Sequence, residues 1–265
     1  MCGRYVLIEK IEFYEEQFKV KANALPNQYL PNYNVSIGNF APVITNDKPN
    51  EIQFFQFGFT PSWSKKPMYL FNARSEGDGN ETNDIHYTGG KGIISKPAFR
   101  KAIRSQRCLV IADYFIEGTV KEKLDKPFMV YLRHRRPFAF AGLWETWVNH
   151  ETGEVINTFC IITTFANALM QQLPHHRSPV ILRKEDEHTW LHATDLNEIT
   201  SLLQPYDANE MNAYPISNHI KSPKANTIEL LQPLGAPVYT DENFSITHEI
   251  KLQGMGQTKR NERKN

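Results

Sequence analysis

No stretch of this chain approaches the roughly 18 consecutive apolar residues that a membrane-crossing helix needs, so no membrane partner is expected. Cysteine is scarce. Cys2, Cys108 and Cys160 are odd in number, far apart and without C-x-x-C spacing, which argues against a disulfide framework and a zinc knuckle. The apolar stretch from Tyr5 to Ile8 is too short for the core of a signal peptide, and Glu9 and Lys10 follow at once, so a cytoplasmic protein is expected. Charge of one sign is lacking too. With 30 Lys and Arg against 29 Asp and Glu, the net charge of +1 is not that of a basic nucleic-acid coat. The segment "KLQGMGQTKRNERKN" holds five basic residues and one acidic, leaving the rest at about −3, and reads as a solvated tail. Any nucleic-acid site in the body must be a local patch. No internal repeat is visible.

What is present suffices for a core. At 265 residues, one domain is expected. Glu9 to Val20 places Ile11, Phe13, Tyr14 and Phe18 on a helical stripe, and "ALPNQYLPNYN", broken by two prolines, reads as a loop. Strand-like runs rich in β-branched and aromatic residues follow at "APVIT", "EIQFFQFGF", "RCLVIADYFIEG", "PFMVYL", "PFAFAGLWE", "VINTFCIITT" and "PVIL". Helical patterns fit "PAFRKAIRS", "NALMQQL" and the stretch from Lys184 to Leu203. The fold class is α+β, a single domain with a mostly antiparallel, barrel-like β core flanked by short helices. The polar, glycine-rich "NARSEGDGNETNDIHYTGGKG" reads as a long surface loop.

Four pieces could carry chemistry. The chain begins "MCGRY"; removal of Met1 would leave Cys2 with a thiol and a free α-amine. An aldehyde condenses with such an amine to an imine, and the thiolate closes on the imine carbon as a thiazolidine. Arg4 offers a fork of donors to a phosphate. A start codon followed by incidental residues would look the same. In "FNARSE", Asn72 and Arg74 share a face if the segment is extended, though a solvated turn has this composition as well. Trp63 in "PSWS" is either a base-stacking platform or a core residue. "CLVIADYFIEG" reads as one apolar strand that presents Asp113 and then Glu117, each a possible general acid or base if buried and a surface acid if not. "LPHHRSPVIL" sets His175, His176 and Arg177 between a helix and a strand, a proton shuttle beside a phosphate clamp. No metal is expected. His188 and His192 are four apart, but Thr189 stands where a zinc protease needs glutamate.

Taken in order, "MCGRY", "NYN", "FGFTPSW", "NARSE", "KPAFR", "RCLVIADYFIEG", "AGLWETW", "IITTFANALM", "HHRSPVIL" and "YPISNHI" resemble the SOS response-associated peptidase (SRAP) domain family. Its members crosslink to abasic sites in single-stranded DNA. The resemblance implies an SRAP domain over 1–233 with a C-terminal extension over 234–265. It further implies catalytic roles for Cys2, Asn72, Glu117 and His175, and DNA contacts by Arg4, Trp63, Arg74 and Arg177. Under it Cys2 captures the ring-opened sugar aldehyde as a thiazolidine after Met1 is lost, without cofactor or metal. The protein is then expected to be a monomer, cytoplasmic and nucleoid-associated when on DNA. A cysteine peptidase and a non-covalent single-strand-binding module are the competing readings. Three departures stand out: Gly118 where the family has tryptophan after the glutamate, Ser178 for the methionine of the "HxRMP" pattern, and "VSIG" without the loop's proline.

Overall fold

The computed structural model describes residues 2–22 and 29–240; the basic tail and most of the 234–265 extension lie outside the described residues. The chain opens with β1 (Arg4–Leu7) and α1 (Ile11–Phe18). The helix buries Ile11, Tyr14 and Phe18, the i, i+3, i+7 stripe of an amphipathic segment. Next come β2 (Lys21–Ala22), β3 (Asn32–Ser36), β4 (Phe40–Thr45), β5 (Glu51–Phe57) and β6 (Asn72–Arg74). The middle of the chain forms α2 (Ala102–Ser105), β7 (Arg107–Ala112), β8 (Tyr114–Thr119), β9 (Lys123–Leu132), β10 (Phe138–Val148) and β11 (Val155–Phe165). After these lie α3 (Ala168–Gln172), β12 (Arg177–Pro179), β13 (Ile181–Leu182), α4 (Asp186–His192), α5 (Leu196–Ser201) and β14 (Met211–Pro215).

The expected α+β class with a barrel-like core is what the chain forms. Strands β5, β4, β7, β10 and β11 pair antiparallel in succession. The ring closes where β11 runs parallel to β5 through Thr158↔Gln56 and Phe159↔Phe57. Closure leaves no open edge along that ring. Inside, Phe57 stacks on Phe159 with centroids 5.1 Å apart, and Tyr5 meets Phe57 and Phe140 edge-on.

A second, antiparallel sheet has the order β14-β9-β8-β1-β3. Alternation along its strands sends Tyr5, Phe115 and Val130 into the barrel's core and Val6, Ile116, Met129 and Tyr131 into a separate cluster with Tyr214, Ile220 and Leu230. Residues 234–239 run alongside β14, with Leu234 and Val238 N–H groups donating to Pro215 and Ala213 carbonyls.

Two local readings change. "RCLVIADYFIEG" is two strands, broken at Asp113, because its carboxylate accepts from the Ile8 N–H at 2.6 Å and the Tyr14 hydroxyl at 2.6 Å. This pin carries the chain from barrel to second sheet. The "NYN" expected in a loop instead forms β3, which pairs with β1 from Arg4↔Ser36 to Leu7↔Asn32.

Candidate active site

A cleft of about 610 Å³ opens where the two sheets meet. The barrel supplies one wall through β6, which runs parallel to β11 with Asn72 opposite Ile161 and Arg74 opposite Thr163. Asn72 and Arg74 share the cleft face, as two-residue alternation requires, while Ala73 is buried. The second sheet supplies the other wall through β8, which carries Glu117, and through the turn into β9.

Cys2 lies just ahead of β1, fully buried beside this cleft. Burial pushes its thiol pKa up, and the nearby Glu117 charge pushes it the same way. The Asn72 amide donates from Nδ2 to the Cys2 carbonyl at 3.0 Å and to the Phe71 carbonyl at 3.0 Å. Its Oδ1 is buried and accepts no hydrogen bond among the described residues, and a buried acceptor is costly unless a donor arrives.

Glu117 and His175, buried together, face each other with Oε2 and Nε2 3.3 Å apart. The other ring nitrogen, Nδ1, is 2.9 Å from the Arg177 carbonyl and 3.4 Å from the Arg177 N–H. With Nδ1 turned to that carbonyl, Nε2 faces the Glu117 carboxyl at a distance that suits proton transfer, the geometry a proton shuttle needs. His176 stacks on His175 with centroids 5.3 Å apart, and burial pushes its pKa below the usual histidine value.

The arginines divide. Arg177 is buried and bidentate on Glu76, with Nη1 3.1 Å from Oε1 and Nη2 2.8 Å from Oε2, and Nη2 also reaches Thr163 Oγ1 at 3.3 Å. Burial alone would raise the Glu76 pKa, but the Arg177 fork overrides it and holds the carboxylate below its ordinary range. Arg4 donates to Asn34 Oδ1 at 2.7 Å and to the Lys221 carbonyl at 2.7 Å, so it ties the 220–225 segment to β3 as well as lining the cleft. Arg74 approaches Glu76 to 3.9 Å and has 31% of its side chain exposed, while its Nε and Nη2 are buried and have no hydrogen-bond acceptor among the described residues.

Trp63 is 60% exposed on a loop that is itself well held. Ser62 donates to Glu145 Oε2 at 3.1 Å, and Trp147 Nε1 donates to the Ser64 carbonyl at 2.7 Å. The indole is thus displayed from a fixed support.

The structure therefore brings Cys2, Asn72, Glu117 and His175 to one place, with Arg4, Arg74 and Arg177 around them, and leaves Trp63 on the surface outside the residues that line the cleft. Sequence reasoning missed Thr163, and it placed Glu76 in line with Asn72 and Arg74 without its pairing to Arg177; a threonine in "IITT" carries no signal of its own. Ser178 accepts the Asn167 N–H at 3.2 Å, fastening the start of α3 to β12. His188 and His192 stack on α4, and among the described residues no group of metal-binding side chains is found. Nor does any described helix have the length and apolarity to cross a membrane.

Comparison with known proteins is consistent across sequence and fold. Residues 1–223 match the family of the SOS response associated peptidase (SRAP). The chain is similar to the abasic site processing protein YoqW of Bacillus subtilis, 36% identical over 239 residues that cover 88% of this chain and 99% of that one. It is similar to the abasic site processing protein HMCES of Gallus gallus, at 24% identity over 79% and 69% of the two chains. Among solved structures, a Bacteroides thetaiotaomicron protein superposes with a TM-score of 0.73 at 27% identity, covering 88% of this chain and 99% of that chain.

Proposed function

This chain belongs to the SOS response associated peptidase (SRAP) family, and we propose that it processes abasic sites in single-stranded DNA by capturing the sugar aldehyde on Cys2. The domain responsible spans residues 1–233. The observation that carries the reading is the arrangement at Asn72: one amide atom fixes the Cys2 carbonyl, and the other is a buried acceptor in want of a donor. A free Cys2 amine, exposed by loss of Met1, supplies that donor. The curated relatives' shared description as abasic site processing proteins supports the substrate class.

The Cys2 amine adds to the aldehyde carbon, and the resulting carbinolamine loses water to form an imine. Glu117 and His175, 3.3 Å apart, give the departing hydroxyl its proton and take one from the nitrogen. The Cys2 sulfur then bonds to the imine carbon and the thiazolidine closes, the thiol proton reaching the ring nitrogen by way of the Glu117–His175 pair. Because burial raises the thiol pKa, the thiolate forms at the moment of attack, with its proton handed to the Glu117–His175 pair. Arg74 receives a flanking phosphate and Trp63 a base face; Arg4 adds positive charge at the cleft, and Arg177, balanced by Glu76, turns its carbonyl to His175 and shapes the wall the strand meets.

The test is a denaturing gel after incubation with abasic single-stranded DNA. A heat-stable adduct is expected from the chain lacking Met1 and none from Cys2→Ala. Retention of residues ahead of Cys2 is expected to abolish the adduct, since the amine is then an amide. An undiminished adduct from Cys2→Ala overturns the mechanism. Turnover of added peptides without any adduct would instead establish the cysteine peptidase, and binding that survives native but not denaturing conditions the non-covalent module.

A further inference from the structure

The turn between β8 and β9 forms part of the cleft, with Thr119, Val120, Lys123 and Leu124 among its lining residues. It is a three-residue connection between the paired residues Thr119 and Lys123. Lys123, the paired residue that follows the turn, takes the left-handed backbone conformation that favours glycine, with φ at 53°.

The turn is fastened by hydrogen bonds inside and out. The Val120 N–H donates to the Pro174 carbonyl at 3.0 Å, fastening the turn to the loop that precedes His175. Thr119 donates its hydroxyl to Glu122, whose N–H returns to Thr119 Oγ1 at 2.9 Å, and Lys126 Nζ donates to Glu122 Oε1 at 2.9 Å. Lys126 thereby neutralises the turn's acid. Lys123, exposed at the cleft, enters no ion pair among the described residues. Arg74 stands in the same cleft on the barrel side with two N–H donors lacking acceptors.

Resting on the reading of the cleft as an abasic-DNA site, we propose that Lys123 is a second phosphate contact, so that Arg74 from the barrel and Lys123 from the second sheet hold the backbone on either side of the lesion. The Glu117–His175 pair lies in the cleft that these two cations share. Val120, half-exposed beside Lys123, packs against the intervening sugar.

Binding is read with single-stranded DNA carrying a tetrahydrofuran abasic analogue, which has no aldehyde and cannot crosslink. Lys123→Gly and Lys123→Asn both tolerate the left-handed backbone and remove the charge. Each is expected to retain at least the parent's Tm, to weaken binding several-fold at low salt, and to reduce the slope of log K against log salt by about 0.7, one phosphate contact on a single strand. Lys123→Arg is expected to bind within about twofold of the parent, the phosphate charge being kept. An unchanged slope and affinity in both neutral variants overturns the assignment. Failure of the parent chain to form an adduct with true abasic DNA overturns the underlying reading instead, and the two results are separately observed.

Discussion

His175 Nε2 and Glu117 Oε2 lie 3.3 Å apart in the shared cleft, and the ring is oriented from behind by the Arg177 carbonyl at 2.9 Å. Such a pair acts as one unit. Under the proposed chemistry, Glu117→Gln and His175→Ala each slow adduct formation by about 10²-fold or more, the usual worth of a positioned acid or base. The double variant is expected to be no slower than the worse single one, because removal of either partner already ends proton transfer between them. Single-turnover rates on abasic single-stranded DNA measure this. Multiplicative losses in the double variant would mean that the two residues work independently.

Arg177 and Glu76 form a buried bidentate pair 101 residues apart in the chain. Glu76→Ala leaves a guanidinium stranded in the interior and is expected to cost about 3–5 kcal/mol in urea unfolding. Replacing both with methionine removes the charge together with its partner, and should recover most of that loss. A Glu76→Ala variant as stable as the parent would show that the pair contributes nothing beyond what solvent supplies.

That separation explains what could and could not be read beforehand. Cys2, Asn72, Glu117 and His175 could be singled out only because the series of motifs together resembles the SRAP family; each piece alone reads equally well as a start codon, a solvated turn or a surface acid. Glu76 was visible only as an acid in a polar stretch, since nothing local says that its partner lies on β12. The break at Asp113 was hidden for a related reason. "CLVIADYFI" is apolar on both sides of the acid, and only Tyr14 and the Ile8 and Glu9 N–H groups, about a hundred residues earlier, turn it into a pin. Barrel closure through Phe159↔Phe57 is equally non-local. Periodicity marked the strands that meet there without saying which would meet.

Asp113 itself makes a pH prediction. Burial pushes its carboxyl from 3.8 up to about 7, against the donors from Tyr14, Ile8 and Glu9 that favour the charged form. A folded-state pKa above the unfolded one means the native state binds more protons between about pH 4 and 7, so this group's stabilisation is full below pH 4 and declines as pH rises toward 7. Asp113→Asn keeps an oxygen for the three donors and does not titrate. Its unfolding free energy is expected to vary less between pH 5 and 8 than the parent's, with the variant gaining relative to the parent as pH rises. Parallel curves for the two proteins would place the Asp113 pKa near its ordinary value.

Gly118 occupies the position after Glu117 where the family resemblance led us to expect tryptophan, and the space around it explains the exchange. A Cβ built there would lie 1.9 Å from the Lys123 carbonyl oxygen and 2.8 Å from the Leu124 nitrogen. Both are backbone atoms of a turn fastened to Pro174, so neither can step aside as a side-chain end could. Gly118→Ala therefore has to open the β8–β9 hairpin, and is expected to destabilise the chain by about 1–3 kcal/mol or more, the cost of overpacking against an unyielding neighbour. Gly90 provides the control: nothing lies within 4 Å of its Cβ position, and Gly90→Ala should stay within about 0.5 kcal/mol of the parent. The same opening displaces Val120 and Lys123 from the cleft, so Gly118→Ala should also weaken binding of the tetrahydrofuran-containing strand. Loss of stability with binding intact would show that the hairpin can yield at Gly118 without moving the cleft wall.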